Sequence, residues 1–227
     1  MSKLSRRLRE AQTAFRERHK RGFSRWLYSN YADQGFSFIS ENCVGQRFYK
    51  ELRQKYLSPT VGLFFGTADF LSFCEHLDAN LRAELREDRQ AGVPYPVGLL
   101  GRVRVHFLHS TEFSSAAEAW HRRARRVDPS RIVVLTTNLD CTDDALISRF
   151  IKLPFRRKLA FSRVPYRGSA PVVYVRGSEH PASRWDLYSN FGVLNAGPVR
   201  AAIRRALGPA AGGGPAIAGG ASVGAQA

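Results

Sequence analysis

The sequence has few cysteines and lacks a long apolar run. A transmembrane helix needs about 20 consecutive, mostly apolar residues, and no stretch of the 227 residues approaches that length. The N-terminus also lacks the apolar segment of a secretion signal. The three cysteines, Cys43, Cys74 and Cys141, form no CxxC pair and cannot all pair with one another, which favours a reducing compartment. We therefore expect a cytoplasmic protein, with at most peripheral contact with a membrane.

Catalytic signatures that can be recognised by their spacing are missing as well. The sequence has no P-loop, no GxGxxG fingerprint, no GxSxG elbow, no HExxH motif, no paired-cysteine zinc pattern and no DxD motif. No metal site is therefore predicted from a motif, and the cofactor stays undefined. A reaction has to be inferred from the positions of individual residues.

Acidic residues are scarce relative to basic ones. The chain has 35 Lys and Arg against 19 Asp and Glu, and its formal net charge is +16. Most of the basic residues are arginine, and an arginine bias with abundant Ala and Gly is typical of GC-rich coding. Composition therefore explains part of the basicity. The remainder favours partners that carry phosphate, or an anionic membrane surface.

The two ends of the chain differ in composition from its middle. Residues 209–227 are mostly Gly, Ala and Pro without any charge, which predicts a disordered tail. Residues 1–28 are predicted to form a basic amphipathic helical arm, which docks onto its own domain, a membrane surface or a partner. Its apolar stripe is formed by Leu4, Leu8, Ala11 and Phe15. Residues 29–208 are predicted to form a single domain.

Strand and helix patterns alternate through this central domain. The predicted strands are residues 36–40, 60–65, 97–101, 102–109, 132–136, 158–162 and 172–175. The predicted helices are residues 45–56, 67–85 (capped by Thr67), 114–127 (capped by Ser114 or Ser115), a helix capped by Thr142 and a last helix starting at Pro198. This alternation predicts an α/β fold, in which a largely parallel or mixed sheet carries helices on both faces.

The first candidate site is the turn after the first predicted strand. Parallel sheets bind ligands beyond the carboxyl ends of their strands, where a helix N-terminus offers free N–H groups to an anion. Asn42 is predicted to cap the helix or contact a ligand, and Gly45 to let a ligand approach the backbone. Cys43 is either a nucleophile whose thiolate the helix dipole stabilises or a small buried residue.

The second candidate lies on the predicted strand of residues 102–109. His109 has the same strand parity as Val105 and Phe107, whereas His106 lies on the opposite face. The two histidines therefore cannot share a metal on a regular strand. His109 is predicted to act as an acid, a base or a ligand contact, with a hydrogen-bonded core histidine as the alternative.

Two further candidates follow along the chain. Trp120, Arg123 and Arg126 recur in steps of three on one helical face, where an indole and two guanidinium groups suit a sugar phosphate or nucleotide. The alternative is a solvated basic face. Asp140 lies at another strand-to-helix junction and is predicted to hold a metal, orient His109 or accept from sugar hydroxyls. A capping role is the alternative.

Seven sequence blocks together resemble a known family. The blocks, in order, are residues 36–45, 58–65, 95–98, 106–109, the Trp120-x-x-Arg123-x-x-Arg126 motif, and residues 140–142 and 149–155. They resemble a bacterial family catalogued as domain of unknown function 1919, often labelled exopolysaccharide biosynthesis protein. The resemblance covers about residues 25–195 and implies a compact α/β fold and a setting near polysaccharide assembly. It implies no particular reaction.

These observations predict a transferase, glycosyl or acyl, that acts on an activated sugar or a surface-glycan intermediate. The predicted ligand-binding residues are Asn42, Gly45, Trp120, Arg123 and Arg126. The predicted catalytic residues are His109, Asp140 and Cys43. The expected partner is a sugar-phosphate or nucleotide-linked small molecule. The alternatives are a non-catalytic module that binds anionic polymers such as nucleic acid, supported by charge alone, and a peripheral adaptor that contacts anionic membrane through residues 1–27.

Overall fold

The computed structural model of the chain describes residues 3–137, 143–168, 171–178, 190–191 and 195–209. Its helices are α1 (Lys3–Tyr31), α2 (Val44–Glu51), α3 (Thr67–Glu75), α4 (Leu77–Arg82), α5 (Phe113–Ala124), α6 (Asp144–Lys152) and α7 (Ala196–Leu207). Its strands are β1 (Ser37–Ser40), β2 (Arg86–Glu87), β3 (Val97–Leu100), β4 (Val103–His106), β5 (Ile132–Thr136), β6 (Lys158–Ser162) and β7 (Val172–Tyr174).

The strands form two sheets of different kinds. The first sheet has the order β1-β5-β6-β7, and all of its pairs are parallel. The second has the order β2-β3-β4 with antiparallel pairs, and β3 and β4 form a hairpin around Gly101, whose φ of +61° suits glycine. The predicted α/β class with a parallel or mixed sheet is confirmed.

The parallel sheet is buried on both faces because consecutive side chains alternate along each strand. Phe38 packs with α1, α2 and α7 on one face, whereas its neighbour Ile39 packs with α3, α5 and α6 on the other. The two clusters are centred on residues such as Phe48 and Ile203 on the first face and Phe70 on the second. The helices thus cover both faces of the sheet, as predicted.

Helix α1 attaches to the domain through its C-terminal part. Phe23, Leu27 and Tyr31 are each no more than 1% exposed and belong to the first core cluster. Two residues of the predicted apolar stripe behave differently, because Ala11 is exposed and Phe15 is 54% exposed. The packed stripe of α1 therefore starts later in the sequence than the pattern indicated. The helix runs without interruption through residue 28.

The segment of residues 60–65 is buried but is not a regular strand, which corrects the sequence prediction. Gly62 has a φ of +73°, a left-handed conformation that interrupts an extended backbone. The Thr60 hydroxyl accepts from the Ser40 N–H at 2.9 Å and donates to the Phe38 carbonyl at 3.2 Å. This side chain therefore satisfies two backbone groups at the free edge of β1, as a neighbouring strand would.

Several helices are shorter than their apolar periodicity predicted. The helix predicted over residues 67–85 is broken at His76, which has a φ of −123° and a ψ of 37°. Thr67 does not cap this helix, because Gly66 occupies the N-cap and the Thr67 hydroxyl donates to Glu41. The helix predicted to reach residue 56 ends at Glu51 instead. Helix α5 starts at Phe113, one residue before the first predicted serine cap, and ends at Ala124 rather than at residue 127.

Other elements match their predicted bounds. Strands β5 and β6 cover residues 132–136 and 158–162, as the apolar runs indicated. The predicted stripe of α7, Val199, Ile203 and Leu207, is buried. The cap predicted at Thr142 lies outside the described residues, and the observed N-cap of α6 is Asp143, whose carboxylate accepts from two backbone N–H groups. In the described part of the chain, no helix is long and apolar enough to cross a membrane.

Candidate functional site

The turn after β1 is held by the side chain of Asn42, which is 6% exposed. Its Oδ1 accepts from the Val44 N–H at 3.0 Å, and its Nδ2 donates to the Thr137 hydroxyl at 2.6 Å. Thr137 directly follows β5, so Asn42 joins the carboxyl ends of two neighbouring parallel strands. The structure thus gives Asn42 a positioning function, and contact with a ligand stays a prediction.

Gly45 lies where α2 crosses closest to β1. A Cβ at this position would lie 2.9 Å from the Ser40 Cβ, which is closer than ordinary packing allows. The Ser40 hydroxyl is itself fixed by donation to the Asn42 carbonyl at 2.8 Å. Glycine is therefore required for the helix to pack against the strand. Gly45 thus has a packing function, and its contact with a ligand stays a prediction.

Cys43 and His109 form a pair at this turn. The Cys43 Sγ lies 3.4 Å from the His109 Nε2, within reach of a hydrogen bond whose direction depends on the histidine tautomer. Cys43 is half-buried, and burial raises the pKa of its thiol, an effect that the nearby Lys50 partly opposes. A raised pKa favours the protonated thiol. The nucleophilic function predicted for Cys43 stays a prediction.

His109 reaches this position by a different route from the one predicted. Strand β4 ends at His106, and His109 lies in the following turn, where the Ser110 N–H donates to the Phe107 carbonyl at 3.0 Å. The strand predicted to continue to residue 109 is therefore wrong, and so is the parity assigned to His109. His109 is exposed and faces Cys43 rather than the core.

The second histidine of this segment lies elsewhere. His106 is packed between the rings of Phe64 and Tyr95, with centroid distances of 5.6 and 5.9 Å. Burial is the main cause that lowers the pKa of His106, which favours its neutral form. His106 thus contacts Phe64 and Tyr95, whereas His109 contacts Cys43.

A cavity of about 180 Å³ lies beside the Cys43–His109 pair. Three of the predicted site residues line it, namely His109, Trp120 and Arg123. The remaining lining residues that matter for its chemistry are Gln46, Tyr56, Gly62 and Ser110. Arg126 is not among the lining residues but donates to the Tyr56 carbonyl at 3.3 Å, next to the cavity. Asp140 lies outside the described residues.

Arg123 supplies the charge of this cavity. Its Nη1 donates to the Val61 carbonyl at 3.2 Å, and its guanidinium lies over the Tyr56 ring at 5.3 Å from the centroid. Burial, followed by repulsion from Arg122, lowers the pKa of Arg123, but an arginine stays charged at neutral pH. Among the residues that the structure describes, no carboxylate pairs with Arg123.

Trp120 is a core residue as well as part of the cavity wall. It is 1% exposed and packs edge-on against Phe73 and Phe107, with centroid distances of 5.8 and 6.4 Å. Its indole face is therefore not an open platform on which a ring of a ligand can stack. The steps of three between Trp120, Arg123 and Arg126 indicated a shared helical face. In the structure Trp120 is buried, Arg123 is half-buried, and Arg126 is exposed beyond the end of α5.

Two residues near the site were given no function from the sequence. Glu41 is fully buried at the end of β1, where its carboxylate accepts from the hydroxyls of Thr67 (at 2.7 Å) and Thr136. An acidic residue directly after a buried strand was the available signal. Gly62 was given no function from the sequence either. Its left-handed turn lies beside the cavity, where a Cβ added to it would lie 3.9 Å from atoms of both Gln46 and His109.

No group of three or more His, Cys, Asp or Glu suited to a metal ion occurs in the described ranges. The arrangement instead offers one half-buried cation, one exposed imidazole and the amide of Gln46 around a small cavity. Such groups bind an anion, move a proton and accept or donate hydrogen bonds to hydroxyls. The fold and the site thus define an α/β protein with a cationic cavity at the end of its first parallel strand.

The chain belongs to the family described as domain of unknown function (DUF1919), whose model matches residues 13–200. A protein of Haemophilus influenzae described as "Uncharacterized protein" is 30% identical over 177 residues, which are 78% of this chain and 85% of that protein. Membership of this family, which the sequence blocks indicated, is confirmed. The match begins within α1, so the family includes the part of this helix that packs against the sheet.

Proposed function

We propose that the protein is a transferase that acts on a sugar activated by a phosphate group. The observation that carries this proposal is Arg123, a half-buried cation in a cavity wall that has no carboxylate partner among the described side chains. A desolvated guanidinium without a counter-charge favours the binding of an anion, and its planar donors match a phosphate. The polysaccharide setting implied by the family resemblance is the reason for choosing a sugar.

The size of the cavity supports binding of one part of such a donor. Sites for whole small molecules commonly enclose about 300–1,000 Å³, whereas this cavity has about 180 Å³. The phosphate would lie against Arg123, and the remaining part of the donor would extend along the carboxyl edge of the sheet. Arg126, exposed next to Tyr56, adds a second cation near this path.

His109 is suited to take the proton of the acceptor. In the proposed step an acceptor hydroxyl attacks the anomeric carbon and its proton passes to His109. The bond between that carbon and the phosphate oxygen breaks, and its electron pair leaves with the phosphate, which Arg123 stabilises. Cys43 contacts His109 at 3.4 Å and would orient the imidazole rather than attack the sugar.

Turnover of a donor panel tests this proposal. Purified protein would be incubated with nucleotide sugars, sugar phosphates and acyl donors, and release of phosphate, nucleotide or thiol would be measured. We expect release from a phosphate-activated sugar, a loss of about 10²–10⁴-fold in kcat for His109→Ala, and weaker donor binding for Arg123→Ala. Arg122→Ala is the matched control, because Arg122 is an exposed arginine on the same helix that does not line the cavity.

Two results would count against the proposal. Release of thiol from acyl donors alone would show that the protein transfers an acyl group rather than a sugar. Equal donor affinity of Arg123→Ala and Arg122→Ala would show that Arg123 does not hold the phosphate.

A further inference from the structure

A second cavity, with a volume of about 770 Å³, lies at the opposite end of the sheet. It is bounded by α4, by the end of α5 and by the segment before β6. The apolar residues of its walls include Cys74, Leu77, Leu81, Ala124, Val127, Ile132 and Phe155. Ile132 is the first residue of β5, so this groove opens at the amino edge of the parallel sheet. It is separate from the cationic cavity beside Cys43.

The walls of this groove leave apolar side chains in partial contact with solvent. Leu81, Val127, Ile132 and Phe155 are all half-buried and converge on the same space. Covering this surface would gain free energy in proportion to the apolar area removed from water. The volume lies within the range of about 300–1,000 Å³ that is typical of small-molecule sites. An apolar ligand of that size therefore fits the groove.

The charges at the rim favour an anionic group at one end. The carboxylate of Glu75 is paired with Arg149 at 2.8 Å, and that of Asp78 is paired with Arg82. Arg125, at the C-cap of α5, is exposed and has no carboxylate partner in the portion of the chain that is described. Since Arg82 and both carboxylates are already paired, Arg125 is the rim arginine left for a ligand.

From these two observations we propose that the groove binds the apolar chain of a single anionic amphiphile, such as a fatty carboxylate, with the head group against Arg125. The chain would lie along Leu81, Val127 and Phe155, and the carboxylate would accept from the guanidinium. This site does not depend on the proposed transferase reaction. It would hold its ligand at the amino edge of the parallel sheet.

Titration calorimetry with the full chain tests the groove. The ligands would be fatty carboxylates of 8, 10 and 12 carbons, each below its micelle concentration, and dodecanol as the uncharged counterpart. We expect saturable binding, with an affinity that rises roughly threefold for each added methylene as more apolar surface is buried. Dodecanol should bind more weakly than the carboxylate of the same length, by about fivefold or more.

Variants locate the site. Arg125→Ala should reduce the affinity for the 12-carbon carboxylate to that of dodecanol, whereas Arg125→Lys and the control Arg122→Ala should keep most of it. Leu81→Glu should abolish binding of both ligands, because it places a charge among the walls of the groove. If circular dichroism shows that Leu81→Glu does not fold, Val127→Glu places a charge in the same groove. Val127 lies after the end of α5, so this substitution does not disturb a helix.

Three outcomes would overturn the proposal. The first is the absence of saturable binding. The second is unchanged affinity in the folded glutamate variant, which would place the ligand elsewhere. The third is association with anionic lipid vesicles without any binding of monomeric amphiphile, which would make the groove part of a membrane-contacting surface instead.

Discussion

Two glycines in helices differ in the space around them. Gly45 faces Ser40 of β1, whereas a Cβ added to Gly22 of α1 would meet no described atom within 4 Å beyond its own stretch of helix. Alanine is a better helix former than glycine by about 0.5–1 kcal/mol when nothing opposes it. The same substitution therefore has opposite effects at these two positions.

Gly45→Ala should destabilise the protein by about 1–3 kcal/mol, because the new methyl group overlaps Ser40 and forces α2 away from the sheet. Gly22→Ala should be neutral or stabilising by up to about 1 kcal/mol. Urea unfolding followed by circular dichroism measures both. Equal effects of the two substitutions would show that α2 does not depend on close approach to β1.

The alkylation rate of Cys43 shows whether His109 activates its thiol. Because burial raises the pKa of Cys43, its alkylation by iodoacetamide should be slow at pH 7 and should increase only as the pH rises above about 8.5, the ordinary thiol pKa. Site-resolved mass spectrometry separates it from Cys74, which is fully buried and should react more slowly still. Rapid alkylation at pH 7 that is lost in His109→Ala would instead identify a thiolate–imidazolium pair.

At the scale of elements, α1 has two parts that differ in burial. Phe23 is 1% exposed and contacts Phe191 and Trp26, with ring centroids 5.8 and 5.7 Å apart, whereas Phe15 is 54% exposed. The helical pattern of the sequence does not distinguish these two phenylalanines. Only packing against the sheet separates them.

Phe23→Ala should lower the free energy of unfolding by about 3–5 kcal/mol, as expected for a buried aromatic side chain. Phe15→Ala, on the same helix, should change it by no more than about 0.5 kcal/mol. Denaturant titration of the two variants makes the comparison. A large effect of Phe15→Ala would mean that the first part of α1 also packs against the domain or against a second copy of the chain.

Strands that are buried on both faces of the parallel sheet could be predicted from the sequence, because they are continuous apolar runs. β5 and β6 are examples, since each has at least three consecutive buried residues and burial on both faces removes any alternation. The segment of residues 60–65 is also apolar, but it pairs only through a single antiparallel bridge between Phe64 and His106, because Gly62 turns left-handed and the Thr60 hydroxyl replaces the backbone ladder beside β1. The break at His76 was missed because apolar spacing continues through it into Leu77.

At the scale of the whole molecule, the fold brings together part of the predicted site. Cys43 and His109 are 66 residues apart in sequence and are in contact, and Arg123 lines the cavity next to them. The sequence indicated which junctions end at the carboxyl edge, because parallel strands share that edge. It did not indicate that His109 leaves β4 in a turn, nor that Trp120 is covered by Phe73 and Phe107, since both depend on tertiary packing.

The two cavities also lie at opposite ends of the parallel sheet. The cationic cavity adjoins the carboxyl end of β1, and the apolar groove begins at the amino end of β5. They share no lining residue, but Arg123 of the first cavity and Ala124 and Arg125 of the second are neighbours in sequence. Each variant is therefore titrated with both ligands, because neighbouring substitutions can couple.

The central claim is that Arg123 binds the phosphate of an activated sugar. Calorimetric titration of a nucleotide sugar into the wild-type chain, Arg123→Ala and Arg122→Ala tests it most directly. Loss of charge-assisted hydrogen bonds should weaken binding by about 10- to 100-fold in Arg123→Ala, while Arg122→Ala should stay within about threefold of the wild type. Equal affinities in all three proteins, or weakening of the same size in both variants, would contradict the claim.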